Sequence, residues 1–572
     1  MKKLNNPVTI LSNFVIPSVL LTLYFASYVF VSKLIQIQGV NVVFATRMVK
    51  YLLVLTLLIF IFFLVAKLRS GEKLTLVKRT KNIHLIDLLF IFLPLTPVVQ
   101  YIITNREILS IRDFIFITGL FAVFSSVYVF LIPKILERVG SSKILVALGV
   151  AFITTITTMP LLSNQFNWFM LGSLKIQLLF FSLIFLLFWL IMNLKDRKIA
   201  ILFLLVYFLG NSTLQFFNQS AQALSSSQEA INQKMNSLIA GESPSFTPNI
   251  YLLIYDSYVI NETMLAYNID NSDQESYLLE KDFIIYPKTY STGSATLETM
   301  RVVFQLSSEY SGGSRSGVSG DGLIQKTLKQ LGYETIGLFE GDHWFKGAIP
   351  TYDKYFPKTS KDQYQYLISA ILTGEFRFDQ EFNKQTHQQF LESKQSFLQS
   401  VNEDQIFLYA HTELPNHSQN SGECLANEIE LYAERLERAN KEMRTDIQNI
   451  LESEPNSIII VAGDHGPYLT KNCYYTYKKY TQKEIDRLDI QDRFGTFLAI
   501  RWPTDTYSSY DQITVIQDIF PAIFAYIFED SNFLDLKIDP VTQFRFSTSN
   551  VYVEDGVIQG GINDQEPLFL SE

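Results

Sequence analysis

The chain has 572 residues, of which 48% are hydrophobic and 46 are Phe, too apolar for one uniform soluble body. Its formal charge of −9 is unevenly shared: residues 1–217 hold 20 Lys and Arg against 6 Asp and Glu, and the other 355 residues hold 27 against 50. The acidic second part argues against nucleic acid as a partner, and two cysteines exclude a disulfide scaffold or a four-thiolate zinc site.

Seven apolar stretches of spanning length occur near 9–31, 50–66, 85–103, 114–132, 144–162, 176–194 and 199–217. A hydrocarbon core needs about 20 helical residues, so 1–217 reads as a polytopic membrane domain. The first stretch is too long for the core of a cleaved signal peptide, and no small-x-small site follows it. With the N-terminus in the cytoplasm, the inside segments carry 14 Lys and Arg and the outside loops 6. The positive-inside rule therefore places everything after 217 outside the cytoplasm. Six spans, with the 176–217 pair misread, is the alternative count.

Residues 218–248, rich in Ser, Gln and Asn and ending in Gly241-Glu-Ser-Pro-Ser-Phe-Thr-Pro248, read as a juxtamembrane linker. From 249 to 572 short apolar runs alternate with helical patterns, the mark of an α/β domain with a largely parallel central sheet. Ile250–Tyr255, Thr335–Phe339, Ile406–Ala410, Ile458–Ala462 and Phe497–Ile500 are the predicted buried strands. A helix is predicted over 426–452. Its apolar residues Ile429, Tyr432, Leu436, Ala439, Met443, Ile447 and Ile450 recur every three or four positions, and Pro455 lies just beyond.

Ligands of open α/β sheets sit beyond the carboxyl ends of strands. There the sequence places Asp256-Ser257-Tyr258, His411-Thr412-Glu413 followed by Leu414-Pro-Asn-His417, and Gly463-Asp464-His465-Gly466. Carboxylate oxygen and imidazole nitrogen suit a divalent metal, and three of the chain's six histidines fall in these segments. Any one of them alone could be a turn or capping residue. Between the first two segments lies Tyr290-Ser-Thr-Gly-Ser-Ala-Thr296, a small-residue turn leading into a helical run. Thr296 at the helix start could meet a bound phosphate through the helix N-terminus, or could be only its N-cap.

In this order the residues resemble the alkaline phosphatase and sulfatase superfamily. Membrane helices followed by an outward domain resemble, within it, the lipopolysaccharide phosphoethanolamine transferases and lipoteichoic acid synthases. The resemblance covers roughly 249–530. Its most specific parts are the Asp-His-Gly segment and the Gly-Ser-Ala-Thr turn, which is similar to a Gly-Thr-Ala-Thr signature whose second Thr is the nucleophile. It implies a metal, zinc or manganese, on Asp256, Thr296, Asp464 and His465, with Thr296 as nucleophile. His411 and His417 would then lie near the leaving group. The chain departs from the transferases in having Asp256 where Glu is usual, seven predicted spans rather than five, and Leu-Pro-Asn-His rather than Leu-Pro-His. An ordinary sulfatase would need a Cys/Ser-x-Pro-x-Arg motif, and neither Cys424 nor Cys473 sits in one.

Three functions are compatible with these residues. The first is a membrane-bound transferase that moves a phosphoethanolamine or phosphoglycerol group from a phospholipid donor to an envelope glycan or lipid acceptor through a phospho-threonine. The second is a hydrolase using the same site, and the third a non-catalytic binding protein. Because both cysteines fall in the exported part, near the motif segments, a Cys424–Cys473 disulfide is expected.

Overall fold

The computed structural model describes most of residues 226–570, apart from 309–314, 316, 343, 346–350, 358–384, 401–404, 419–425, 472–479 and 543–549. Within 1–225 it describes chiefly 109–126 and 174–193. The chain divides into two units, the second made of 222–359 and 381–572.

In the first unit, helices α1 (Ile111–Ser126) and α2 (Leu174–Asn193) fall on the fourth and sixth expected spans, and α2 exposes Leu179, Leu183, Leu186, Leu187 and Leu190. Among the described residues no helix is long and apolar enough to cross a membrane. The other expected spans lie mostly outside the described residues, as do both cysteines.

The second unit begins with α3 (Ser226–Ile239), inside the segment expected to be a linker. Met235 of α3 is fully buried in the domain core, and the Gln228 side chain donates to the Gln305 carbonyl at 3.0 Å. A seven-stranded sheet follows, built from β1 (Ile250–Tyr255), β2 (Phe283–Ile285), β3 (Glu334–Phe339), β4 (Lys354–Phe356), β5 (Ile406–Thr412), β6 (Ile458–Ala462) and β7 (Leu498–Arg501). Its order is β2-β7-β6-β1-β5-β3-β4. The β6-β1-β5-β3-β4 neighbours pair in parallel, and β7 runs antiparallel to both β6 and β2.

Both faces of the sheet are covered, which is why its central strands are apolar without alternation. Ile250, Leu252 and Ile254 face one core with Met300 and Phe304 of α4 (Thr296–Gln305), Ile324 and Leu328 of α5 (Leu323–Gln330) and Phe520 of α9 (Ile519–Phe528). Tyr251, Leu253 and Tyr255 face the other, with α6 (His387–Ser400) and α7 (Glu428–Ser453). On α7 the expected face Tyr432, Leu436, Ala439, Met443, Ile447 and Ile450 is buried, each large side chain contributing roughly 1.5–3 kcal/mol. Ile429, expected on that face, sits in the first turn and is 37% exposed.

β1 and β6 span the residues expected of them. β5 runs two residues further than expected, to Thr412, so His411 belongs to the strand: it pairs in register with Ile254 and Phe339. The short edge strands β2 and β4 have too few residues for an apolar pattern and were not among the expected strands.

Candidate metal centre

β1 and β6 are neighbours, so the residues that follow them emerge side by side. Asp256 is tied into the sheet by donating its N–H to Thr412 O at 2.9 Å and accepting from Asn416 N at 2.9 Å. At the end of β6, Asp464 and His465 are 0% and 2% exposed. Among the described residues, Asp256, Asp464 and His465 form the one cluster of metal-binding type, with candidate ligand atoms within 4.8 Å of one another.

Hydrogen bonds orient each of the three. Nδ1 of His465 lies 2.9 Å from the Gly466 carbonyl. A carbonyl can only accept, so the ring proton sits on Nδ1 and Nε2 keeps its lone pair. That nitrogen is 3.5 Å from Asp256 Oδ1 and 3.5 Å from Asp464 Oδ2. Oδ1 of Asp464 accepts the backbone N–H groups of Ser257 and His465, each at 3.0 Å. Oδ2, equally buried, has no hydrogen-bond partner among the described residues.

The electrostatics of the pair are complementary. Burial, then the charge of Asp464, pushes the Asp256 carboxyl well above the usual range, against the lowering effect of the Ser257 hydroxyl bond. Burial also works against charge on Asp464, but it is held below the ordinary value, with the backbone N–H of Ser257 among the groups that favour its charged form. Burial holds His465 neutral as well. An orphaned carboxylate oxygen, a second carboxyl that resists ionisation beside it and an imidazole lone pair all face one point. This donor set fits a divalent cation, for two close carboxylates ionise together only when a positive charge lies between them.

Thr296 reaches the same point. Its Oγ1 lies 3.5 Å from His465 Nε2. It is the first residue of α4, whose N-cap is Ala295, so its hydroxyl is not the capping group. The turn before it is tight: a Cβ on Gly293 would lie 2.6 Å from Thr299 N, and Ser294 Oγ donates to Glu298 Oε2 at 3.0 Å. Four residues singled out from the sequence, Asp256, Thr296, Asp464 and His465, thus converge.

The two other histidines flank the cluster. His417 packs its ring 5.7 Å from that of His465, and burial pushes it down to about 3. His411 is hydrogen-bonded to Tyr409 OH at 3.0 Å and packs on Phe345, and burial pushes it down to about 4. Both are neutral imidazoles at pH 7. Sequence reasoning assigned no role to Ser257, whose Oγ donates to Asp256 Oδ1 at 2.8 Å. Its adjacency to Asp256 was the available signal. Tyr468, stacked on His465 with centroids 5.0 Å apart, gave no signal at all.

Residues 248–527 match the family model described as Sulfatase. They are a sulfatase-family domain.

No curated protein matches the chain. Among solved structures, the sulfatase-family domain is similar to the C-terminal periplasmic domain of EcEptC from Escherichia coli in complex with Zn, at 10% identity over 50% of this chain and 84% of that one, TM-score 0.33. It is also similar to the lipoteichoic acid synthase LtaP from Listeria monocytogenes, at 12% identity over 60% and 90%, TM-score 0.36. A third similar structure, a protein in the alkaline phosphatase superfamily from Vibrio parahaemolyticus, has 13% identity over 59% and 91%, TM-score 0.36.

Proposed function

We propose that the sulfatase-family domain is a metal-dependent phosphotransferase. It moves a head group of phosphoethanolamine or phosphoglycerol type from a membrane phospholipid to an envelope glycan or lipid. The observation that carries this reading is the Thr296 hydroxyl 3.5 Å from His465 Nε2, at a helix start facing the Asp256–Asp464–His465 donor set. Transfer of phosphoryl rather than sulfuryl is supported by the turn itself. It presents Thr296 at a helix start, and neither Cys424 nor Cys473 lies in the Cys/Ser-x-Pro-x-Arg motif that sulfate-ester hydrolases of this superfamily need. The apolar first 217 residues support a bilayer tether that keeps the site near a lipid donor, with the domain outside the cytoplasm.

Asp256, Asp464 and His465, with Thr296, would hold zinc or manganese, which when bound acidifies an oxygen ligand and offsets phosphoryl charge. The residues of the chain do the rest. Thr296 Oγ1 attacks phosphorus in line, forming the Thr–O–P bond as the bond to the lipid oxygen breaks. The first-turn N–H groups of α4 donate to the phosphoryl oxygens. His417 or His411 takes up the proton that the Thr296 hydroxyl gives up as it attacks, since the negative charge of the entering phosphate favours the imidazolium. It passes that proton to the departing lipid oxygen. An acceptor hydroxyl then attacks phosphorus as the Thr–O–P bond breaks, and its proton passes through the same imidazole to the departing Thr296 oxygen.

Mass spectrometry of the full chain with phospholipid vesicles tests the reading: a head-group phosphate adduct is expected on Thr296, and Thr296→Ala should lose adduct and turnover together. An adduct on another residue, or wild-type turnover by Thr296→Ala, would overturn it. Labelled head group appearing on glycan marks a transferase, and free head group a hydrolase. A reporter fused after residue 572 should behave as exported.

A further inference from the structure

Tyr468 lies three residues beyond His465 and is 4% exposed. Its backbone is left-handed, with φ of 59°, a conformation uncommon for a bulky residue and held only where the surroundings enforce it. The enforcement is visible. Ser418 Oγ donates to the Tyr468 carbonyl at 2.7 Å, and the next two N–H groups, of Leu469 and Thr470, donate to the Asp492 carboxylate at 2.8 and 3.2 Å. The outcome is that the phenol ring lies nearly parallel to the His465 imidazole, at 11° and 5.0 Å between centroids. The Arg493 guanidinium carbon sits 4.0 Å from the same ring's centroid. At its far end the phenol hydroxyl donates to the carbonyl of Ser294, two residues before Thr296.

One side chain therefore touches the imidazole of the metal cluster and the turn that presents Thr296. These two parts come from segments 169 positions apart. We propose that Tyr468 is a positioning residue that couples the His465 imidazole to the Gly293–Thr296 turn, so that the Thr296 hydroxyl keeps its place against the metal. The proposal rests on the phosphotransferase reading above. Its two contacts have separable consequences. The stack restrains the ring of a metal ligand, and loss of a ligand's supporting partner typically weakens metal binding 10–100-fold. The hydrogen bond to Ser294 restrains only the nucleophile, where a misplacement of about 1 Å can slow the chemical step up to about 10²-fold.

The test uses the full chain in detergent as wild type, Tyr468→Phe and Tyr468→Leu. Zinc affinity is measured by competition with a chromophoric chelator, and kcat and KM from nitrophenolate release with bis(4-nitrophenyl) phosphate. Tyr468→Phe keeps the stack and loses the hydrogen bond: zinc affinity and KM should stay at wild-type values while kcat falls about tenfold or more. Tyr468→Leu loses both contacts, and zinc affinity should fall as well, by about 10–100-fold. Wild-type kcat in the Phe variant, or wild-type zinc affinity in a folded Leu variant, would overturn the proposal. Equal zinc loss in both variants would also overturn it, by assigning Tyr468 to packing alone. A wild type that binds no zinc or releases no nitrophenolate, or a Thr296→Ala variant that turns over normally, would instead overturn the phosphotransferase reading itself.

Discussion

The backbone N–H of Ser257 donates to Oδ1 of Asp464 at 3.0 Å, tying the end of β1 to the end of β6. The bond needs Ser257 in a left-handed conformation, φ 61°. The same residue's hydroxyl donates to Asp256 Oδ1 at 2.8 Å, so one serine sets the orientation of both carboxylates. Ser257→Ala keeps the backbone bond and removes the hydroxyl. Zinc affinity in a chelator competition should fall by about 10–100-fold, the usual effect of removing a ligand's hydrogen-bond partner. Unchanged affinity would show that Asp256 is held without it.

Gly466 follows His465 where a neighbouring backbone passes very close: a Cβ there would lie 2.1 Å from Asp492 O. Gly466→Ala must push apart the end of β6 and the end of α8 (Arg487–Phe494). A stability loss of about 1–3 kcal/mol or more is expected from such overpacking. Zinc affinity should fall with it, because Asp464 and His465 move too. Thermal unfolding and zinc titration on one preparation check both effects.

Behind the site, Lys394 and Asp446 form an ion pair at 2.6 Å, with side chains 0% and 1% exposed. Asp446 also accepts from Tyr255 OH at 2.7 Å, and Lys394 donates to Thr412 Oγ1 at 3.2 Å. The pair thus holds the last residues of β1 and β5 from beneath. Lys394→Met strands a buried carboxylate and should destabilise by roughly 3–5 kcal/mol. The double variant Lys394→Met, Asp446→Leu should recover much of that loss. Additive single effects in a denaturant-melt cycle would contradict the pairing.

His387, the first residue of α6, bridges Glu340 at 3.0 Å and Glu442 at 2.6 Å. Those hydrogen bonds push it up to about 9, from about 6.5 for an ordinary histidine. The folded state therefore binds the proton more tightly than the unfolded chain. Its contribution is complete below about pH 6.5 and disappears as the pH rises through about 9. The melting temperature should decline over that window, and His387→Gln should flatten the decline. An identical slope in the variant would assign the pH dependence elsewhere.

Much of the α/β domain was legible because its information is local. β1 and β6 are unbroken apolar runs, and the face of α7 repeats every three or four residues. The strand-end rule then pointed to Asp256, Asp464 and His465, and the small-residue turn to Thr296. His411 was read as lying after β5 because an apolar pattern stops at the first polar residue, although the backbone pairing continues to Thr412. The linker reading of 218–248 missed α3 for a related reason: its mean hydropathy is low, and what docks it is scattered, namely the buried Met235, the half-buried Ile231, Leu238 and Ile239, the Gln228 bond and the Lys234 bond to the Asp535 carbonyl. Only the tertiary structure decided which N–H groups hold Asp464, which nitrogen of His465 keeps its lone pair, and that Tyr468 spans the imidazole and the Thr296 turn. These depend on approach between segments up to 208 positions apart. Sequence periodicity cannot report such approach, because it records which face of an element is apolar and not what that face meets.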